Sequence, residues 1–208
     1  MSLTLVVGTK RWSSWSLRAW MALAATGAPF RQVRIELRQP DTKAKILELS
    51  PSGKVPLLDD DGIKVWDTLA ICEYLAERFP EAGLWPKDRE ARALARSVSA
   101  EMHAGFVPLR SVCPMDVVED QRLAEIPDDV KADVARIDAI WSDCRARFGQ
   151  GGPFLFGAFT NADAMYAPVV TRIRTYGLPV GAASSAYCDA IMAHPAMQAW
   201  VMEAQAAG

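Results

Sequence analysis

Ser50-Pro51-Ser52-Gly53-Lys54-Val55-Pro56-Leu57-Leu58, an Asp59-Asp60-Asp61-Gly62 turn, and Trp66-Asp67-Thr68-Leu69-Ala70-Ile71 together carry the reading of this chain. A residue before proline is driven to extended geometry, and X-Pro is the common route to a cis peptide. A cis turn leaves the Val55 N–H and C=O unpaired at the mouth of a strand, where an extended peptide ligand can pair with them. Asp67-Thr68 then opens a helix, whose free N–H groups and dipole attract a carboxylate. The combination describes a dock for a small peptide with acidic ends.

Outward from this stretch the chain reads as β-α-β-α-β-β-α. Leu3–Val7 is an apolar run, hence a buried strand. Trp15–Ala25 has helical spacing and stops before Gly27. Phe30–Glu36 alternates as a strand, and Asp41–Leu49 is a short helix. Val55–Leu58 and Ile63–Val65 flank the Asp-Gly turn as a hairpin. Thr68–Phe79 is a helix ended by Pro80. A crossover followed by a hairpin gives a small mixed sheet with helices on its faces. The expected division is residues 1–80, a linker over 81–88, and 89–208.

After Asp88 the pattern is helical throughout. Leu94, Val98, Met102 and Phe106 form one apolar stripe, with Pro108 marking a kink or stop and Gly105 permitting close approach of another backbone. Val130, Val134, Ile137, Trp141, Cys144 and Phe148 form a second stripe. Thr160-x-x-Asp163 resembles a capping box with Asp for Glu and starts a helix to about Tyr176. Ser184–Ala193 and Pro195–Ala204 complete the set.

The 208 residues are half apolar, enough to bury a sizeable core, and the net charge of −2 gives no global pull toward nucleic acid or an anionic membrane. No stretch approaches a membrane span, and the N-terminus reads as a strand with no basic leader, so the expected location is cytoplasmic. Cys72, Cys113, Cys144 and Cys188 include no C-x-x-C and read as buried apolar residues. No metal site is expected with two histidines.

The first strand leads into Arg11-Trp12-Ser13-Ser14-Trp15-Ser16-Leu17-Arg18. One of these serines caps the helix, or Ser13 or Ser14 aims its hydroxyl at a ligand; both readings hold at different positions. As a nucleophile, a serine here needs a base, and His103 reaches it only through the fold. As a donor to a ligand's thiolate, it favours the charged form. A free thiol titrates near ~8.5. A helix N-terminus plus one hydroxyl lowering it by roughly 1–2 units raises the reactive fraction at neutral pH by about 10–50-fold. His103, beside the Met102/Phe106 stripe, is either structural or part of a site.

At these residues nearly the whole chain resembles the soluble glutathione transferases. The resemblance rests on the Val55-Pro56 turn, Asp67-Thr68, the all-helical second half and the Thr160/Asp163 box. It implies an α/β thioredoxin-like N-terminal domain plus an all-α C-terminal domain, as a homodimer with glutathione as co-substrate and a small electrophile as second substrate. The Val55 backbone would pair with the cysteinyl part of glutathione. Asp67 and Thr68 would hold the γ-glutamyl end, and Lys54 would lie near the glycyl carboxylate. The serine segment looks like the zeta-class motif, pointing to Ser13 with Ser14 as alternative. Glu101–Leu109 looks like the beta-class helix whose histidine lines the site, here His103. Trp12, Met102 and Phe106 are the expected apolar contacts to the electrophile. Two departures stand out: Ser13 occupies the beta-class cysteine position and Trp15 the zeta-class one. Mixed-disulfide chemistry is therefore not expected. Isomerase, lyase or dehalogenase activity and a non-catalytic binding module are the alternatives.

Overall fold

A computed structural model of the chain describes residues 3–206. At its centre β1 (Leu3–Gly8) pairs in parallel with β2 (Phe30–Ile35), Leu3 opposite Phe30 and Gly8 opposite Ile35. On its other side β1 meets β3 (Leu57–Asp60) antiparallel, and β3 turns into β4 (Ile63–Val65), giving the order β2-β1-β3-β4. β1 is apolar on both faces because both are covered. Leu3, Leu5 and Val7 enter the large core beneath α1 (Ser14–Ala25) and α3 (Thr68–Arg78). Val6 joins Ile35, Leu57 and Ile46 of α2 (Thr42–Leu49) on the opposite face.

The Val55–Pro56 peptide is cis, as is Trp66–Asp67. β3 starts at Leu57, two residues later than the sequence pattern suggests. Pro56 has no N–H to give a ladder, so pairing begins beyond it. A 3-10 turn, Pro80–Ala82, leads from the expected first division into the expected linker and is closed by Gly83 in the left-handed region at φ 62.

Asp88 opens α4 (Arg89–Ala104), its carboxylate accepting the Ala91 N–H at 2.8 Å. The apolar stripe expected to run on to Phe106 is interrupted. α4 ends at Ala104, Phe106 turns at φ 56, and Pro108 lies in the first turn of α5 (Val107–Val112). Gly105 does not serve an approaching backbone as expected. The nearest atom to a Cβ there would be the Glu101 carbonyl oxygen of its own helix, at 2.8 Å. The glycine is needed to end α4.

α6 (Asp128–Phe148) and α7 (Asn161–Tyr176) form the centre of the helical half, followed by α8 (Ala182–Ala193) and α9 (Pro195–Ala206). α7 is buried almost throughout and opens on the expected capping box. Asp163 Oδ2 accepts from the Thr160 N–H at 2.8 Å and the Thr160 hydroxyl at 3.0 Å, while Oδ1 accepts from the Leu155 N–H at 3.0 Å. The two halves share one core. α7 lies against α1, where Arg18 Nε donates to the Met165 carbonyl at 2.8 Å, and Asn161 Nδ2 donates to the Cys72 carbonyl of α3 at 3.0 Å. Lys10, after β1, is buried with its ammonium 3.7 Å from the Trp20 ring and 2.8 Å from Glu203 of α9. No helix among the described residues is long and apolar enough to cross a membrane.

Candidate functional site

The loop before Pro56 is built from within. The Ser50 N–H closes α2 on the Ile46 carbonyl at 2.7 Å, Gly53 takes φ 62, and the Lys54 N–H donates to Ser52 Oγ at 3.2 Å. Val55 therefore arrives extended outside the sheet ladder, and neither its N–H nor its C=O has a partner among the described residues.

Across from it, Asp67 caps α3, Oδ1 accepting the Leu69 N–H at 3.1 Å. Its other oxygen, Oδ2, lies 3.2 Å from His103 Nε2, on the last turn of α4. Thr68 is almost wholly buried and spends its hydroxyl on the Trp15 carbonyl at 3.1 Å. Its side chain is thus structural, and what it offers a ligand is its N–H at the first helical position, one of the groups a helix start leaves open.

These elements enclose a cleft of about 450 Å³ between the sheet half and the helical half. The sheet half contributes Lys54, Val55, Pro56, Asp67 and Thr68, all singled out by sequence, together with Trp15, Ser52 and Trp66. The helical half contributes His103 and Arg110. The Trp15 ring lies edge-on to His103 at 5.3 Å, with the Arg18 guanidinium 4.4 Å and that of Arg110 5.5 Å from its centre.

Five expected residues lie off the cleft. Ser13 is the N-cap position of α1 but caps no N–H. It is 6% exposed, and its hydroxyl donates to Ser16 Oγ at 2.7 Å; Ser16 Oγ also accepts the Gly8 N–H at 3.1 Å. Ser14 starts the helix, and its carbonyl accepts from Arg18 Nη1 at 3.1 Å. Met102 is fully buried and Phe106 is 7% exposed, both in the core, because α4 turns its stripe onto α7. Trp12 stacks under Arg38, whose guanidinium is 4.2 Å from its ring. The expectation that Met102, Phe106 and Trp12 form an apolar wall for a second substrate is corrected: the helical wall is His103 and Arg110. Trp66 and Ser52 were within reach of sequence reading, being neighbours of the quoted motifs. Arg110 carried no such signal, because the break at Gly105-Phe106 is what directs α5 to the cleft.

The protein's own thiols are poor nucleophiles. All four cysteines are buried, and burial pushes Cys72, Cys144 and Cys188 up to about 12 and Cys113 upward. A reactive thiol in this cleft has to come from a ligand.

A mixed four-stranded sheet with an X-cis-Pro loop, an acid-capped helix start opposite it, and an all-helical second half are the arrangement that the resemblance to the soluble glutathione transferases implies. The family model for the glutathione S-transferase N-terminal domain matches residues 12–78 and that for its C-terminal domain residues 120–201. The chain belongs to the glutathione S-transferase family. It is 25% identical, with a TM-score of 0.74 and complete coverage of both chains, to a glutathione transferase homolog from Burkholderia gl BGR1 solved with bound glutathione. It is 27% identical over 174 residues to glutathione S-transferase 1 of Dianthus caryophyllus, covering 80% of this chain and 76% of that one. It is 37% identical over 100 residues to a probable maleylacetoacetate isomerase of Caenorhabditis elegans, and there the match spans 48% of this chain and 47% of that protein.

Proposed function

We propose that this protein is a glutathione transferase: it binds glutathione in the cleft, lowers the pKa of its thiol and directs it at a small electrophile. The observation that carries this is the meeting of the open Val55 backbone and the Asp67/Thr68 helix start in one cleft. The Val55 N–H and C=O pair with the cysteinyl residue as an added strand does. Asp67 holds the γ-glutamyl ammonium and the Thr68 N–H its carboxylate. Lys54, exposed at the rim, faces the glycyl carboxylate.

Ser13 is the proposed thiolate donor, with Ser14 as the alternative; neither lines the cleft, so the hydroxyl has to turn toward it when glutathione binds. In the described geometry the Ser13 hydroxyl points to Ser16, and Ser16 is held by the Gly8 N–H. When the first bond reverses, a donor chain runs from Gly8 N–H through Ser16 to Ser13 and on to sulfur. Each donor polarises the next. The thiol proton leaves to solvent, the C–S bond forms, and the leaving group departs with its electron pair. His103, turned to Asp67, flanks the glutathione position. The protein is proposed to act as a homodimer.

Isothermal titration with glutathione and turnover of 1-chloro-2,4-dinitrobenzene test this reading. Micromolar-to-millimolar binding with conjugate formation is the expected result; no heat at millimolar glutathione overturns it. The likeness to a probable maleylacetoacetate isomerase favours a second reading, in which glutathione is regenerated. Product analysis separates the two, since only a transferase consumes glutathione stoichiometrically.

A further inference from the structure

The helical wall of the cleft carries positive charge on Arg110, which no carboxylate among the described residues pairs with; the carboxylate of Asp133, close by in the fold, accepts the Leu109 N–H at 3.0 Å. Arg110 lines the cleft half-buried, its Nη1 donating to the His103 carbonyl at 3.2 Å. Two buried arginines lie close enough to repel it: Arg18 and Arg172. Arg172 gives its donors to the Cys113 and Pro168 carbonyls at 2.9 and 3.1 Å. Arg18 has no exposed surface and uses Nε and Nη1 on carbonyls, but its Nη2 is buried without a hydrogen-bond partner. Among the described residues no carboxylate pairs with any of the three. Burial and mutual repulsion push Arg18 well down and Arg172 down to about 10. Guanidinium groups stay charged all the same, so the cluster is a standing positive potential that ends at the cleft through Arg110.

An apolar electrophile does nothing to relieve that potential. A carboxylate does, and a planar guanidinium receives one through two parallel bonds. The other cleft cation, Lys54, stands on the rim by the Val55 loop and serves the glycyl end in the proposed glutathione pose. Among the described residues the one carboxylate lining the cleft, Asp67, is turned to His103.

We infer that the second substrate of this cleft is a small anion, an electrophile bearing a carboxylate that Arg110 holds against the face of Trp15. The inference rests on the transferase reading for the reaction itself, but the anion subsite stands on the arginine cluster alone. Arg110 is then a specificity-determining residue, and Trp15 and Trp66 in the cleft wall report its occupation by fluorescence.

The test uses one matched pair of electrophiles, 4-chloro-3,5-dinitrobenzoate and neutral 1-chloro-2,4-dinitrobenzene, with wild type, Arg110→Gln and Arg110→Lys. In wild type the ratio of kcat/KM for the anion to that for the neutral arene is expected to exceed the ratio of their uncatalysed rates with glutathione. Arg110→Gln is expected to lower that enzymatic ratio about ten-fold or more through KM, and Arg110→Lys to restore part of it. Tryptophan quenching by 4-chloro-3,5-dinitrobenzoate without glutathione is expected to weaken by the same factor in Arg110→Gln. Equal losses on both electrophiles, or quenching that Arg110→Gln leaves untouched, overturn the subsite. Arginine-dependent quenching by the anion, combined with absent glutathione binding, keeps the subsite and removes the transferase reading instead.

Discussion

Asp67 Oδ2 and His103 Nε2 meet at 3.2 Å across the cleft, joining the first turn of α3 to the last turn of α4. The other oxygen of the same carboxylate caps α3. One side chain thus sets a helix start, contacts the helical half and presents the negative charge proposed to hold a ligand ammonium. Asp67→Asn separates these tasks. Asparagine caps as well as aspartate, so the thermal midpoint is expected to stay close to wild type. Lost charge-assisted pairing is expected to weaken glutathione binding about ten-fold or more. Calorimetry and a melt on the same sample check both halves, and an unchanged Kd would remove Asp67 from the proposed pose.

Ser13→Ala breaks the proposed donor chain at its last link. The thiol of bound glutathione, followed by its ultraviolet thiolate absorbance against pH, is expected to titrate roughly 1 unit higher. Turnover near neutral pH should fall about 10–100-fold while Kd changes little, because the backbone pairing proposed at Val55 is untouched. The same change in Ser14→Ala instead of Ser13→Ala would transfer the role to Ser14.

Asp163 accepts from Leu155, from both groups of Thr160 and from nothing exposed. Asp163→Ala leaves two buried N–H groups without acceptors at about 1–3 kcal/mol each. Urea denaturation is expected to show a loss of roughly 2–5 kcal/mol, a drop of several degrees or more in Tm for a chain of this size. A loss below about 1 kcal/mol would mean that water replaces the box.

His194 and Asp163 are expected to oppose each other in acid. Burial lowers the His194 pKa, and its Nδ1 accepts the Ala196 N–H at 3.2 Å, which requires the unprotonated ring. The unfolded histidine, near ~6.5, binds protons that the folded one resists, so this contribution is present above that value and lost as pH falls below it. Burial raises Asp163 to about 6 against an unfolded value of ~3.9. Its contribution is fully present below the lower value and lost as pH rises through the higher. His194→Asn keeps a capping acceptor without a titrating ring. The variant is expected to lose less stability than wild type between pH 7.5 and 5 in urea midpoints; equal losses would show that His194 does not contribute.

The elements were legible where the physics is local. The apolar run of β1, the Asp-Gly hairpin, the acid cap before α3 and the Thr160/Asp163 box are set by neighbours within a few residues, and the described elements agree with their reading to within two or three residues. The cleft's sheet side was legible for the same reason, since Lys54 to Pro56 and Asp67-Thr68 act through backbone groups that their own sequence shapes. Its helical side was legible at His103 alone. Met102 and Phe106 look available on an isolated helix, and only packing of α4 against α7 shows that they are consumed by the core.

By itself, then, the sequence determined an X-Pro loop outside the sheet ladder, a charged helix start and a helical second half, because each follows from proline, glycine and capping chemistry at short range. Tertiary structure decided which residues face one another over the cleft. The turn at Gly105-Phe106 brings Arg110 beside Trp15, and the union of α1 with α7 buries Arg18 behind it. Such charge placement depends on segments separated by up to about 150 positions, a distance over which no local rule acts.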